Sequence, residues 1–138
     1  MQNNSLYSAN RHACYNLKYH LVVVTKFRHQ VLNDDIDKRL KEIATNIFET
    51  SWGCKLIKIE TNMDHIHILF EAPPQVQLSK LINNFKTVSS RLIRKEFDTY
   101  LKEYYWRPYF WNRSYYIGTV SETTEEIVAN YIEQQKRK

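Results

Sequence analysis

The chain has 138 residues and a mass of 16.7 kDa, enough for one domain with one sizeable core. Ordinary apolar (43%) and charged (25%) fractions exclude disordered and fibrous chains, and two glycines, Gly53 and Gly118, are too few for a phosphate-cradling nucleotide loop. The net charge of +5 and the 14% aromatic content suggest a polyanion partner.

No apolar run is long enough to cross a bilayer, and the start, Met1 to Ser5, lacks the basic and apolar regions of a signal peptide. A cytoplasmic location with no membrane contact and no nucleotide cofactor is expected. Cys14 and Cys54 stand far apart without C-x-x-C spacing, so neither a disulfide framework nor a cysteine zinc site is indicated.

In chain order, Tyr15 to Lys26 is rich in β-branched and aromatic residues and predicts a long strand. Asn33 supplies a cap, and Ile36, Leu40, Ile43, Ile47 and Phe48 recur at helical spacing, so a helix should follow and stop before Gly53. Alternation predicts strands over Lys55 to Glu60 and Asp64 to Phe70, joined as a hairpin through Thr61, Asn62 and Met63. After Pro73 and Pro74 a second helix runs from Leu78 to Phe97, with Leu78, Leu81, Ile82, Phe85, Leu92 and Ile93 on its buried stripe. Tyr100 to Tyr116 holds nine aromatics in seventeen positions, and Ser114 to Val120 reads as a fourth strand. Thr123 and Glu126 form a candidate capping box for a last helix over about 123–136, carrying Ile127, Tyr131 and Gln135. The order β-α-β-β-α-β-α predicts an α+β fold. An antiparallel sheet with helices packed on one face, in the split β-α-β or ferredoxin-like manner, is the natural solution.

Within the hairpin, His65 and His67 lie two apart on a strand and share a face, while Ile66, Ile68 and Phe70 point the other way. Two parallel imidazoles form half of a divalent-metal site, or else are ordinary strand residues; a third ligand decides between these readings. Gln135 on the last helix offers a carboxamide oxygen suited to Mg²⁺ or Mn²⁺, one turn from Tyr131 on the same face. Packing on the sheet and solvation at the surface remain the competing readings for Tyr131 and Gln135.

Three segments together resemble one family. They are Tyr19 to Leu32 (YHLVVVTKFRHQVL), Asp64 to Leu69 (DHIHIL), and Trp111 to Tyr116 (WNRSYY) running on to Tyr131–Gln135 (YIEQQ). The pattern is similar to the small HUH transposases of bacterial and archaeal insertion sequences, the single-tyrosine IS200/IS605-like group. With the middle helix around Ser89–Arg91, the similarity spans nearly the whole chain, 1–138, as a single HUH transposase domain.

The resemblance implies a transposase that cuts and rejoins single-stranded DNA at insertion-sequence ends and recognises hairpins there. It implies a divalent ion, Mg²⁺ or Mn²⁺, held by His65, His67 and Gln135. It also implies Tyr131 as the nucleophile that forms a 5′-phosphotyrosine and leaves a free 3′-OH. The covalent link conserves the energy of the broken phosphodiester, so rejoining needs no ATP, in keeping with the missing nucleotide loop. A homodimer is implied, with sheets joined edge to edge and Tyr131 acting within its own chain or in its partner. Lys26, Arg28, Lys86, Arg91, Arg94 and Lys95 are candidate DNA contacts, and exposed aromatics between Tyr100 and Tyr116 are candidate stacking platforms. A catalytically inactive or domesticated relative that only binds DNA hairpins is the alternative reading.

Overall fold

The computed structural model describes residues 8–9 and 14–135. The polar start of the chain and the last position of the expected C-terminal helix lie outside the described residues. Two short strands, β1 (Ser8–Ala9) and β2 (Cys14–Tyr15), pair with each other. The main sheet is built from β3 (Lys18–Val24), β4 (Lys55–Asn62), β5 (His65–Glu71) and β6 (Tyr116–Thr119), in the order β4-β5-β3-β6 with every neighbour antiparallel. Helix α1 (Asp34–Thr45) joins β3 to β4, and α2 (Leu78–Glu96) joins β5 to β6. Each connection skips one strand, so two split β-α-β units interlock around the central pair β5-β3.

Burial follows the strand period. Leu21, Val23, Ile66, Ile68 and Phe70 meet α1 and α2 residues such as Ile36, Leu40, Leu81, Ile82 and Phe85 in the main core. Val22 and Val24 point to the opposite face and are covered by the last helix, α4 (Glu125–Gln134), through Ile132 and Val128. The two long helices thus share one face, and α4 lies on the other. Here the structure refines the expected layering.

Several boundaries move for local reasons. The long N-terminal strand divides into β2 and β3, and it ends at Val24 because Phe27 and Arg28 adopt left-handed φ of 58° and 55°. Asn33 caps α1 as expected, its Oδ1 accepting from the Ile36 N–H at 2.9 Å. One π-helical turn, Asn46–Ser51, follows α1 before Gly53, which has φ of 67°. In β4 the register shifts between Leu56 and Lys58, leaving Ile57 as a bulge and bringing Leu56 and Ile59 to the same core face. The bulge also aligns Glu60 opposite His67. A short helix, α3 (Asp98–Leu101), breaks the aromatic segment. The cap of α4 is Thr124, which accepts from Ile127 N–H; Thr123, the expected cap, hydrogen-bonds Tyr116 at 2.9 Å instead. Among the described residues both cysteines are free, and burial pushes the Cys54 thiol up to about 11. No helix of the described residues is long and apolar enough to cross a membrane.

Gly118 lets Tyr116 fold back along β6. A Cβ there would collide with the Tyr116 hydroxyl and lie 2.5 Å from Thr123 Oγ1. The Tyr116 ring in turn sits 6.0 Å from that of Tyr131. Gly118→Val is therefore expected to destabilise the fold by about 1–3 kcal/mol, the range for overpacking, with a matching fall in urea midpoint.

Candidate active site

The face of the sheet under α4 carries the polar side chains. His65 pairs in register with Val24, and His67 with Val22 and Glu60, so both imidazoles project toward α4. The residue before the pair is held by backbone. Thr25 N–H donates to the Asp64 carbonyl at 2.9 Å, and Leu32 N–H to that of Met63. Asp64 Oδ1 lies 2.8 Å from His65 Nδ1, leaving Nε2 as the outward nitrogen. Its other oxygen accepts from Arg28 Nε at 2.8 Å, and Arg28 reaches on to Glu133 of α4 at 3.0 Å. Burial works against the Asp64 charge, but His65 and Arg28 outweigh it and hold the carboxyl below its usual range. His67 Nε2 stands 2.7 Å from Nδ1 of His20 on β3. Burial, with the neighbouring His20 adding to it, lowers the His67 pKa, which favours the neutral, ligating imidazole.

Tyr131 and Gln135 occupy the other flank of α4. The Tyr131 hydroxyl is 2.8 Å from Ser114 Oγ, and Ser114 also donates to Gln135 Oε1 at 3.2 Å. Gln135, only 4% exposed, accepts a second hydrogen bond from Asn112 Nδ2 at 2.5 Å. Asn112 is itself fixed, its N–H donating to the Val24 carbonyl at 2.8 Å. Burial raises the Tyr131 pKa above its ordinary value of 10 and Ser114 partly offsets this, so the phenol is protonated at neutral pH. Asn112→Ala removes the shorter of two bonds to a buried amide and is expected to cost about 1–3 kcal/mol in denaturant unfolding.

Within one chain these two halves stay apart. His65 and Asn112 lie on opposite sides of Val24, so their backbones are two strand spacings, roughly 10 Å, apart. The buried side chains of Val22, Val24 and Ile132 fill the space between. The structure brings His65 and His67 together, and Tyr131 and Gln135 together, but not the pairs to each other. Two imidazoles on one strand face, one of them oriented by a carboxylate, fit the needs of a divalent ion. The Gln135 oxygen is engaged by Asn112 and Ser114, and among the described residues no group of three or more His, Cys, Asp or Glu is placed to hold an ion. Of the three expected donors, His65 and His67 are neighbours on one strand, with His67 Nε2 against His20 Nδ1, and Gln135 stands apart from them.

The candidate DNA contacts differ in availability. Arg28 is committed to Asp64 and Glu133. Lys86 is half-buried, donates to the Arg113 carbonyl at 2.7 Å, and has its pKa lowered by burial to about 8. Lys26 lies over the rings of Phe27 and Tyr109, near 5 Å from each. Arg91, Arg94 and Lys95 line a surface cavity with Trp106.

Sequence reasoning assigned no role to His20, Asp64, Asn112 or Ser114. All four lie inside the quoted motifs, and the period-two alternation places His20 on the face of Val22 and Val24. The pairing partners themselves depend on strand register. Ile127, expected on the last helix with Tyr131 and Gln135, is 38% exposed; Val128 and Ile132 are the α4 residues that pack on Val22 and Val24.

The comparisons with known proteins agree with one another. The family described as "Transposase IS200 like" matches residues 13–135. The ISDra2 transposase TnpA of Deinococcus radiodurans is 39% identical over 124 residues, covering 90% of this chain and 87% of that protein. The transposase for insertion sequence element IS200 of Salmonella typhimurium is 32% identical over 124 residues, covering 90% and 80%. A crystal structure described as a transposase from Deinococcus radiodurans superposes with a TM-score of 0.85 at 36% identity, covering 95% of this chain and 99% of that one. A REP-associated tyrosine transposase bound to a REP hairpin shares the fold at a TM-score of 0.58 and 9% identity, over 91% and 68%.

Proposed function

The chain belongs to the IS200-like transposase family, and from that premise we propose that it cuts and rejoins single-stranded DNA at the ends of an insertion sequence through Tyr131. The observation that carries this reading is that Ser114 hydrogen-bonds both the Tyr131 phenol and the Gln135 carboxamide on one flank of α4, while the other flank of α4 borders His65 and His67.

Tyr131 Oη gives up its proton and forms a bond to phosphorus as the P–O3′ bond breaks, the lost proton being balanced by the one that the leaving oxygen gains. The leaving oxygen takes a proton to become a 3′-OH, and the 5′-phosphate stays on the tyrosine. A second 3′-OH reverses the step and joins a new strand. Ser114 orients the phenol by its 2.8 Å contact. His65 and His67, with Gln135, would hold a divalent ion, which when bound supplies Lewis acidity and fixes the scissile phosphate. Asp64 and His20 position the two imidazoles.

The separation within one chain supports a homodimer in which α4 of one protomer completes the histidine site of its partner. Val22, Val24 and Ile132 pack together, and Val22 and Val24 lie on β3 between the strand that carries the histidines and the segment that carries Asn112. Recognition of DNA hairpins is carried over from the family and agrees with the fold shared with the hairpin-bound REP-associated transposase.

The test is labelled single-stranded DNA from the ends of the element carrying this gene, incubated with the protein and Mg²⁺ and run on a denaturing gel. A protein-linked strand, lost on chelation of the metal, is the expected result. Hairpin binding with no adduct under any divalent metal would favour the inactive relative instead. Cleavage with both products free would point to a phosphoesterase.

A further inference from the structure

We propose that a second, non-catalytic site on the α2–α3 side of the molecule binds one unpaired nucleotide of a DNA strand, its base on Trp106 and its flanking phosphates on Arg91, Arg94 and Lys95. The inference rests on the reading above that this protein handles single-stranded DNA.

Trp106 is 77% exposed, the most exposed large apolar side chain among the described residues. It borders a cavity of about 470 Å³ lined by Arg91, Arg94, Lys95, Lys102 and Arg107. That volume falls in the range of small-ligand sites, about 300–1,000 Å³. The one carboxylate on the cavity, Asp98, pairs with Lys102 at 3.0 Å. Among the described residues Arg91, Arg94, Lys95 and Arg107 have no carboxylate partner within ion-pair distance, so the cavity carries a net positive field. Tyr109 stands edge-on to Trp106, ring planes at 90°, and Arg107 stacks over the indole at 4.6 Å. One face of the ring is thus braced while most of its surface stays open. A flat platform with cations around it suits a stacked base with phosphates on either side. A base inside a duplex is stacked on both faces and cannot use it.

The site also has a route to the tyrosine. Arg94, Pro108 and Tyr109 are shared with a neighbouring cavity of about 330 Å³, which continues past Lys86 and Arg113 to Asn112. Asn112 holds Gln135, beside Tyr131. A strand anchored at Trp106 would run along this basic track toward the nucleophile.

The experiment measures binding of a fluorescein-labelled single-stranded oligothymidylate by anisotropy, without metal, alongside indole quenching. Trp106→Ala is expected to weaken binding about tenfold, and Trp106→Phe to keep most of the affinity. The double variant Arg91→Ala, Lys95→Ala should flatten the slope of log affinity against log salt by about 1.4, roughly 0.7 for each phosphate left without its cation. Binding to a long duplex, whose terminal pairs are a negligible share of its sites, should be indifferent to Trp106. Unchanged affinity and quenching in Trp106→Ala would overturn the site, as would equal dependence on Trp106 for duplex. Thermal melting identifies any variant that fails to fold, and the exposed Trp106→Phe change keeps the comparison valid in that event. Adduct formation separates the two readings. If Trp106→Ala binds normally while the Tyr131 adduct forms, only the second site fails; if binding depends on Trp106 but no adduct forms, only the reading of Tyr131 fails.

Discussion

Replacing Tyr131 with phenylalanine is expected to abolish the protein-linked strand and lower cleavage roughly 10⁴- to 10⁶-fold, the scale on which removal of a covalent nucleophile acts. Binding of the same DNA should change by no more than about twofold, because the phenyl ring keeps its place against Tyr116 and only the hydroxyl's hydrogen bond with Ser114 disappears. A gel-shift titration and a denaturing gel on one set of samples measure both. A parallel loss of binding would mean that the tyrosine acts by holding DNA instead of attacking it.

The second large effect comes from mixing variants. Tyr131→Phe and His67→Ala should each be silent alone, since one lacks the attacking oxygen and the other an imidazole of the metal pair. Combined in equal amounts and allowed to exchange subunits, half of the dimers are mixed. If α4 acts on its partner, each mixed dimer contains one intact site, His65 and His67 from one protomer and Tyr131 from the other. Activity should then return to roughly a quarter of the wild-type value per site. If Tyr131 acts within its own chain, every site in the mixture carries a defect and activity stays at background. The prediction follows from Val22, Val24 and Ile132, which occupy the space between the two halves of the site in a single chain.

Much of this arrangement was legible in the amino-acid order because its physics is local. Alternation in β5 separates the imidazoles from Ile66, Ile68 and Phe70 without any knowledge of neighbours. The four-residue spacing of Tyr131 and Gln135 fixes them on one flank of a helix. What stayed hidden depends on contacts distant in sequence. His20 meets His67 across 47 positions, and Asn112 meets Gln135 across 23. The α4 cap moved from Thr123 to Thr124 because Thr123 is drawn away by Tyr116, a competition that no capping pattern records. The bulge at Ile57 likewise arises from pairing with β5, yet it decides that Glu60 stands beside His67. Composition suggested a polyanion partner, but it did not distinguish Arg28, locked between Asp64 and Glu133, from Arg91, which has no carboxylate partner among the described residues. Equal charges in the sequence have unequal freedom in the fold.

The most direct measurement is peptide mapping of the covalent protein–DNA product by mass spectrometry after nuclease and protease digestion. A 5′-linked nucleotide on the peptide containing Tyr131, and on no other, is the predicted result. The same mass on a peptide carrying Tyr115 and Tyr116 or Ser114, or full cleavage with no modified peptide at all, would contradict the assignment of Tyr131 as the nucleophile.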